Sequence, residues 1–458
     1  MAKLSLFFVA MCMMLSAAVA QTSTWDGTHT SWTNGTGTQT NPYLIENAQQ
    51  LAHLAYYVNN SGTSSDQYWL LTTNIDLANR QWTPIGNGDF FLGHFDGNRH
   101  TITNLFVNVS NYVGLGLFGG IDNGTIKNIG IVGGSNSITA FNCIAGGIAA
   151  MAYGSNIINC NYSGYVSSSF SFSFSDSPTA IAGGIVGNAS GCNVDSCYNE
   201  GIVIASSKSN TIPPLSYAGG IVGRSYYSTN INNCYNIGNI SSNSTSSGNY
   251  VIPSYAGGIV GGSNSPYTQN INNCYNIGDI SSSINATSGN AYAGGIFGGS
   301  TGYVFINNCY NTGGISGSKK GPIASIGPVS NCYFLNNYIG IPENGIPQTE
   351  AFMKTQGFVD LLNNGPAANF AYLLDISLIN DGYPILEWQK LNADAALSSL
   401  TVSEGTLTPA FSSDVYNYTV DVAYSVNSIM ITATANDENA TVVGAGEKQP
   451  DVDSIRFP

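Results

Sequence analysis

The sequence predicts an all-β chain whose body is a right-handed parallel β-helix, closed by a short helical C-terminal cap and followed by an incomplete β-sandwich. Three observations carry this: a fixed repeat period, no helical periodicity inside the repeats, and runs of alternating β-branched residues bounded by Gly or Asn. The tetrapeptide Ala-Gly-Gly-Ile starts at Ala145, Ala182, Ala218, Ala256 and Ala293, with spacings of 37, 36, 38 and 37 residues. A constant period of this size marks stacked supersecondary units.

A second block follows in each unit. It reads INNCYNIGNI at 231–240, INNCYNIGDI at 271–280 and INNCYNTGGI at 306–315, with weaker copies at 157–166 and 193–203. Cys160, Cys197, Cys234, Cys274 and Cys309 hold one position in these blocks, with Cys332 as a terminal copy. Gly164, Gly201, Gly238, Gly278 and Gly313 each follow four residues later. Short strands such as GGIVG, INNCY and GNISS favour one coil per repeat over two, because three strands and a loop use about 37 residues. The variable stretches 206–216 and 241–253 are expected to protrude as loops, where binding residues concentrate.

Residues 1–20 read as a secretory signal. Lys3 precedes an apolar run from Leu4 to Leu15, and Ala18-Val19-Ala20 forms a small-residue cleavage site. The run is too short to span a bilayer, and Gly, Asn and Ser interrupt every later apolar stretch. The expectation is a secreted or cell-surface chain with no membrane span. With 12 basic and 26 acidic residues the net charge is −14, which disfavours nucleic acid as a partner. Only 8% of residues are charged and 11% are aromatic. That composition suits a folded extracellular β protein better than a disordered tail.

The GG-I-V-G blocks followed by I-x-N-C-Y-N-x-G resemble GLUG-motif repeats of bacterial secreted, adhesin-like proteins. The resemblance reaches back to the segment from Thr38 through Asn41-Pro42-Tyr43-Leu44-Ile45, Leu71 to Leu77, Trp82 to Gly86 and Phe95 to Ile102, and covers roughly residues 38–335. It implies an N-terminal cap and first rungs at 21–110, a repeat β-helix at 111–335 and a C-terminal cap at 336–392. Within that cap, 349–363 is expected to be the one helix of the chain. From 395 to 458 the alternation changes character and is similar to the bacterial cadherin-like β-sandwich, an immunoglobulin-like fold. Such sandwiches run to about 100 residues, so an incomplete domain is expected.

The aligned cysteines are expected to form a buried column of thiols with parallel side chains, poorly aimed for bridging. Pairing of Cys192 with Cys197, or of Cys143 with Cys160, remains open. Asn159, Asn233, Asn273, Asn308 and Asn331, each just before its Cys, are expected to hydrogen-bond as a ladder at a turn. No CxxC or paired-histidine spacing calls for a metal, and no cofactor is expected. The acids of the repeats, Asp176, Asp195, Glu200 and Asp279, fall at different repeat positions and do not converge as a lyase or hydrolase site requires. His94, Asp96, Arg99 and His100 read as a polar turn.

These features set the expectation of a monomeric adhesin-like protein and not an enzyme. Its ligand would be an extracellular glycan or protein held through loops of the solenoid. A passive stalk and a carbohydrate-active β-helix enzyme are the alternatives. Tyr226, Tyr227, Tyr250, Tyr255, Tyr267 and Tyr303 lie in or beside the variable loops, where they could stack on a ligand or pack the loops down. The run Ser169 to Phe174 reads as a strand with one aromatic face.

Overall fold

The structure, a computed structural model, describes residues 22–61, 64–108, 114–141, 144–171, 178–299, 302–337, 344–363, 371–391, 397–412, 418–420, 422–423, 426–435 and 446–448. The signal segment, Cys143, Asp176 and the end of the Ser169–Phe174 run lie outside these residues. Two compact units are present, one of residues 21–386 and a second that contains 387–458.

The first unit is a parallel β-helix in which the coils between Gly114 and Ser263 give strands to three sheets, while the coils before them give strands to the largest sheet alone. One sheet stacks Gly114–Leu115, Ile144–Gly146, Thr179–Gly183, Leu215–Gly219, Val251–Gly257, Ser288–Gly294 and Lys319–Gly321. The second stacks Phe118–Asp122, Ala149–Tyr153, Val186–Ser190, Val222–Tyr226 and Val260–Ser263. The third is the largest and carries the INNCYN segments, such as Asn230–Asn232 and Tyr235–Asn236. Ala145 pairs with Ala182, Ala182 with Ala218, Ala218 with Ala256 and Ala256 with Ala293. One repeat is therefore one coil, and neighbouring repeats sit one strand spacing, about 4.8 Å, apart.

The chain turns from the first sheet to the second at Ala-Gly-Gly-Ile, and the second glycine is there for room. A Cβ on Gly220 would lie 2.1 Å from the Gly258 carbonyl oxygen and 2.5 Å from the Asn236 side chain. The glycines after the cysteines form another tight column: a Cβ on Gly238 would lie 1.9 Å from the Gly201 oxygen, one on Gly278 2.0 Å from Gly238 and one on Gly313 2.1 Å from Gly278. Gly164 and Gly201 begin that column.

The six aligned cysteines are buried and free, and Cys192 is free as well. Each thiol donates to the carbonyl two residues back, as Cys197 does to Asp195 (3.2 Å) and Cys234 to Asn232 (3.0 Å). Cys192 donates likewise to Ser190 (3.5 Å) and also to Ala152 in the preceding coil (3.2 Å), and it stands free with no bridge to Cys197. Burial pushes the thiols of Cys160, Cys197 and Cys234 well above their ordinary range. A raised folded-state pKa makes the stability due to these thiols complete below the unfolded value, roughly pH 8.5, and lost as pH climbs above it. The melting temperature should accordingly fall between pH 8 and pH 10, each thiol contributing at most about 1.4 kcal/mol per pH unit. The double variant Cys197→Ala/Cys234→Ala should show a shallower fall, and an identical slope would refute this origin.

Two asparagine ladders run beside the thiols. In the outer one Asn273 donates to Asn233 (3.1 Å), Asn308 to Asn273 (3.2 Å) and Asn331 to Asn308 (2.8 Å), while Asn233 and Asn159 donate to Asp195 and Asn128 (both 2.8 Å). These corner asparagines have φ near +50°, a left-handed conformation that asparagine tolerates better than most residues. The inner ladder is fully buried. Asn199 donates to Asn236 (2.8 Å), Asn236 to Asn276 (2.7 Å) and Asn276 to Asn311 (2.7 Å).

The N-terminal end is covered by a helix, Ala48–Ser61, where only cap and first rungs were expected. Asn47 accepts the Gln50 N–H (2.9 Å) in the manner of an N-cap, and Leu51, Leu54, Ala55 and Val58 form a buried stripe at helical spacing. The expected helix over 349–363 is two helices, Glu350–Met353 and Gln356–Leu362. Thr349 caps the first, and Thr355 starts the second in extended backbone. Met353, Phe358, Val359 and Leu362 bury that face. Asn331, the last rung of the outer ladder, donates to the Leu361 and Leu362 carbonyls (2.8 and 3.1 Å), so the helix end finishes the ladder.

In the second unit Leu397–Val402 pairs antiparallel with Ile429–Ala435, which pairs with Gly446–Lys448, and Leu407–Thr408 pairs with Thr419–Val420. Leu400, Tyr418, Val420, Val422, Ile429 and Ile431 are its core.

Candidate ligand-binding surface

Four of the six candidate tyrosines come together where the chain passes from the second sheet to the third. Tyr226 ends the strand Val222–Tyr226 and Tyr227 follows it with φ of 47°. Tyr267 and Tyr303 occupy the same turn in the next two coils, ahead of Gln269–Asn272 and Val304–Asn307. Gln269 ties the three turns together. Its side-chain amide donates to the Tyr227 carbonyl and to the Tyr267 carbonyl (3.1 Å), and its N–H donates to Tyr303 (2.9 Å). Ser265 accepts the N–H groups of Tyr227 and Tyr267 (both 3.1 Å). The backbone is thus fixed while the rings stay outside: Tyr227 is 47% exposed, Tyr267 49% and Tyr303 70%. The Tyr227 ring meets Tyr226 edge-on at 4.7 Å and tilts toward Tyr267 at 4.9 Å. Phe305, 50% exposed, extends this corner. Sequence reasoning missed it, although strand alternation in Val304-Phe305-Ile306 marks it as outward-facing.

The other two tyrosines are elsewhere. Tyr255 stacks between Tyr217 and Tyr292 at 5.0 Å on each side, nearly parallel, as a rung of a tyrosine ladder on the first sheet. Burial pushes its phenol up, and its ring faces are occupied by tyrosines. Tyr250 donates its hydroxyl to the Thr211 carbonyl (2.6 Å) and so ties the two variable segments to each other. Those segments are shorter loops than expected, because Ile202–Lys208, Leu215–Gly219, Ile240–Thr245 and Val251–Gly257 take up much of 206–216 and 241–253 as strand. Tyr198, Tyr235, Tyr275 and Tyr310 form a second stacked ladder at 4.8–5.0 Å.

The acidic and histidine residues are engaged locally. Asp195 accepts from Asn233 and Asp279 from the Gly314 N–H (both 2.8 Å). Asp96 pairs with Lys127 (3.0 Å) and accepts the Asn98 N–H (2.8 Å), while Asn98 and Arg99 make the turn at φ of 48° and 62°. His94 stacks on Tyr68 at 4.3 Å, and burial lowers the pKa of His94 and His100.

Among known proteins, residues 397–455 match the family model described as a cadherin-like beta sandwich domain. A protein of Evansella cellulosilytica named "Putative Gly-rich membrane protein" is 33% identical over 128 residues, covering 26% of this chain and 14% of that protein. Halomucin of Haloquadratum walsbyi is 32% identical over 131 residues, covering 24% of this chain and 1% of halomucin. The chain therefore spans only a small part of the length of these relatives. A crystal structure from Bacteroides ovatus named as a "putative immunoglobulin A1 protease" aligns with 78% of this chain and 95% of that one, at 22% identity and a TM-score of 0.47.

That last similarity corrects the expectation that the chain is not an enzyme, because the similar solved structure bears the name of an enzyme. The expectation had rested on the scattered acids of the repeats and on the lack of HExxH spacing and of a G-x-S-x-G elbow between strand and helix, arguments that address carboxylate-pair, zinc and serine-elbow chemistry and no other kind. At this identity and TM-score the neighbour assigns no activity to the present chain. Among the described residues no helix is long and apolar enough to cross a membrane.

Proposed function

We propose that the chain is a secreted or cell-surface adhesin-like protein, a right-handed GLUG-repeat solenoid that holds an extracellular glycan or protein on the Tyr227–Tyr267–Tyr303 corner. One observation carries this reading. Three consecutive coils present a tyrosine at the same turn, with a fixed backbone and rings 47–70% exposed, whereas the tyrosines of the two ladders spend their faces on one another. Large amphipathic rings left outside a rigid scaffold are what sugar stacking and protein anchoring use. The membrane and halomucin names of the relatives fit an exported role, as does the signal-like segment 1–20.

The test is a glycan and matrix-protein binding array with the full chain. The triple variant Tyr227→Ser/Tyr267→Ser/Tyr303→Ser should lose at least tenfold in affinity, about 1.4 kcal/mol, while Tyr255→Phe binds as the parent does. Saturable binding indifferent to the triple substitution would move the site elsewhere, and absence of binding would favour a passive stalk.

A further inference from the structure

We infer that Arg224 anchors a carboxylate on the ligand, so that the recognised partner is an acidic saccharide of the uronic or sialic acid kind, seated on the second sheet between Tyr153 and Tyr226. The inference rests on the reading of the neighbouring tyrosine corner as a binding surface and names its ligand class.

Arg224 sits in the strand Val222–Tyr226, in register with Asn188 of the preceding coil and Gly262 of the next. Its Nε donates to Asn188 Oδ1 (2.9 Å), and its guanidinium carbon lies 5.9 Å from the centre of the Tyr217 ring. That ring lies over Gly262, where a Cβ would come within 2.9 Å of it. Asn188 and Tyr217 therefore hold the guanidinium from two coils. Its terminal nitrogens make no protein hydrogen bond among the described residues. The ion pairs among those residues belong to Lys127 and Lys354, so no carboxylate faces Arg224.

A partly desolvated cation without a counter-charge is costly, and burial lowers the pKa of this one, with Tyr217, Tyr153 and Tyr226 offsetting the shift. A guanidinium held by Nε and open at its fork has the geometry for a planar carboxylate.

The surroundings say what else the ligand carries. Tyr153, Ser190 and Tyr226 occupy one column of the second sheet in three successive coils, so the backbone positions of the two tyrosines are about 9.6 Å apart with the buried Ser190 between them. The Asn188 amide and the phenols of Tyr153 and Tyr226 lie beside the guanidinium, and such groups suit sugar hydroxyls. The net charge of −14 repels dense polyanions at long range, which favours sparse carboxylates over sulfated or phosphorylated chains.

Calorimetric titration of the full chain tests this with a xylo-oligomer bearing a single glucuronate and sialyllactose, against neutral xylo-oligomers, lactose and an oligoglutamate peptide. The wild type should bind the acidic saccharides in preference to the neutral ones and the peptide, more weakly as salt rises. Arg224→Gln should weaken that binding at least tenfold, and Arg224→Lys should fall between. Arg224→Met, which keeps the stem, should lose binding with an unchanged melting temperature, separating recognition from folding. Acidic-saccharide binding unaffected by Arg224→Gln, or preference for the peptide, overturns the assignment. Arg224-independent binding of neutral sugars or proteins that depends on Tyr227 overturns it alone, and no binding of any probe overturns the reading of the corner with it.

Discussion

Replacing Asn236 by leucine is expected to lower the stability of the β-helix unit by about 3 kcal/mol, although the two side chains are similar in size. Asn236 is fully buried. Its Nδ2 donates to the Gly238 carbonyl (2.8 Å) and to Asn276 Oδ1 (2.7 Å), and its oxygen accepts from Asn199 (2.8 Å). Leucine removes all three bonds and leaves their partners facing hydrocarbon, where an unpaired polar group costs about 1–3 kcal/mol. The three costs will not add fully, because the Asn199 Nδ2 that loses its acceptor keeps its bond to the Gly201 carbonyl (2.8 Å). Asn236→Asp adds a pH signature. An ionised carboxylate cannot donate to Gly238 or Asn276, so the folded state raises its pKa. Stability is then fullest below the unfolded carboxyl pKa of about 3.9 and is lost as pH rises through the folded value. Denaturant unfolding followed by circular dichroism reads both variants. A leucine variant within about 0.5 kcal/mol of the parent would show that the inner ladder contributes little net stability.

The coil register was legible because it depends on one quantity, the repeat period, which Ala145 through Ala293 print without ambiguity. The thiol column and the outer asparagines followed from the same alignment. The inner ladder did not, although Asn199, Asn236 and Asn276 stand two residues after their cysteines in plain view. Besides its bond to the glycine two residues on, each amide needs a partner 35–40 residues away, and a single strand's pattern cannot show that partner. The helix Ala48–Ser61 was readable from Leu51, Leu54, Ala55 and Val58, but the surrounding strand-and-turn texture masked a local helical period. At 349–363 the periodicity is genuine, yet Thr355 is extended and splits the segment in two. Composition marked tyrosines near the loops without separating Tyr227 from Tyr255. One sits in a turn and the other in a strand whose neighbours repeat the same residue, so position in the coil decides which ring is free. Arg224 gave no sequence signal beyond being the single arginine between residues 100 and 455. Its meaning depends on the absence of an opposing acid among the described residues, a three-dimensional fact.

Substituting alanine for Gly258 should cost at least about 3 kcal/mol, an overpacking penalty at the upper end of the usual range. The added methyl would lie 2.0 Å from the Gly295 carbonyl oxygen and 2.4 Å from the Asn276 side chain. Neither neighbour can yield cheaply. The first is backbone of the next coil, which accepts in the parallel ladder from the Gly258 N–H at Gly294 (3.2 Å) and from the Ile259 N–H at Ile296 (3.0 Å). The second is pinned in the inner ladder. Relief requires the coils to separate locally, and separation weakens the backbone bonds and the asparagine ladder together. A glycine at a comparably unusual place supplies the control: Gly327 has φ of 110° and nothing within 4 Å of an added methyl, so Gly327→Ala meets only conformational strain, about 1 kcal/mol. Asn276→Gly combined with Gly258→Ala should be less harmful than the sum of the two, by about 1 kcal/mol, because removing the whole side chain, whose Cβ would itself lie 2.7 Å from the added methyl, opens one of the two clashes and leaves the carbonyl clash in place. Full additivity in that cycle would mean that the glycine and the asparagine do not share the space the structure gives them, and a Gly258→Ala variant as stable as the parent would mean that the spacing between coils is soft at this corner.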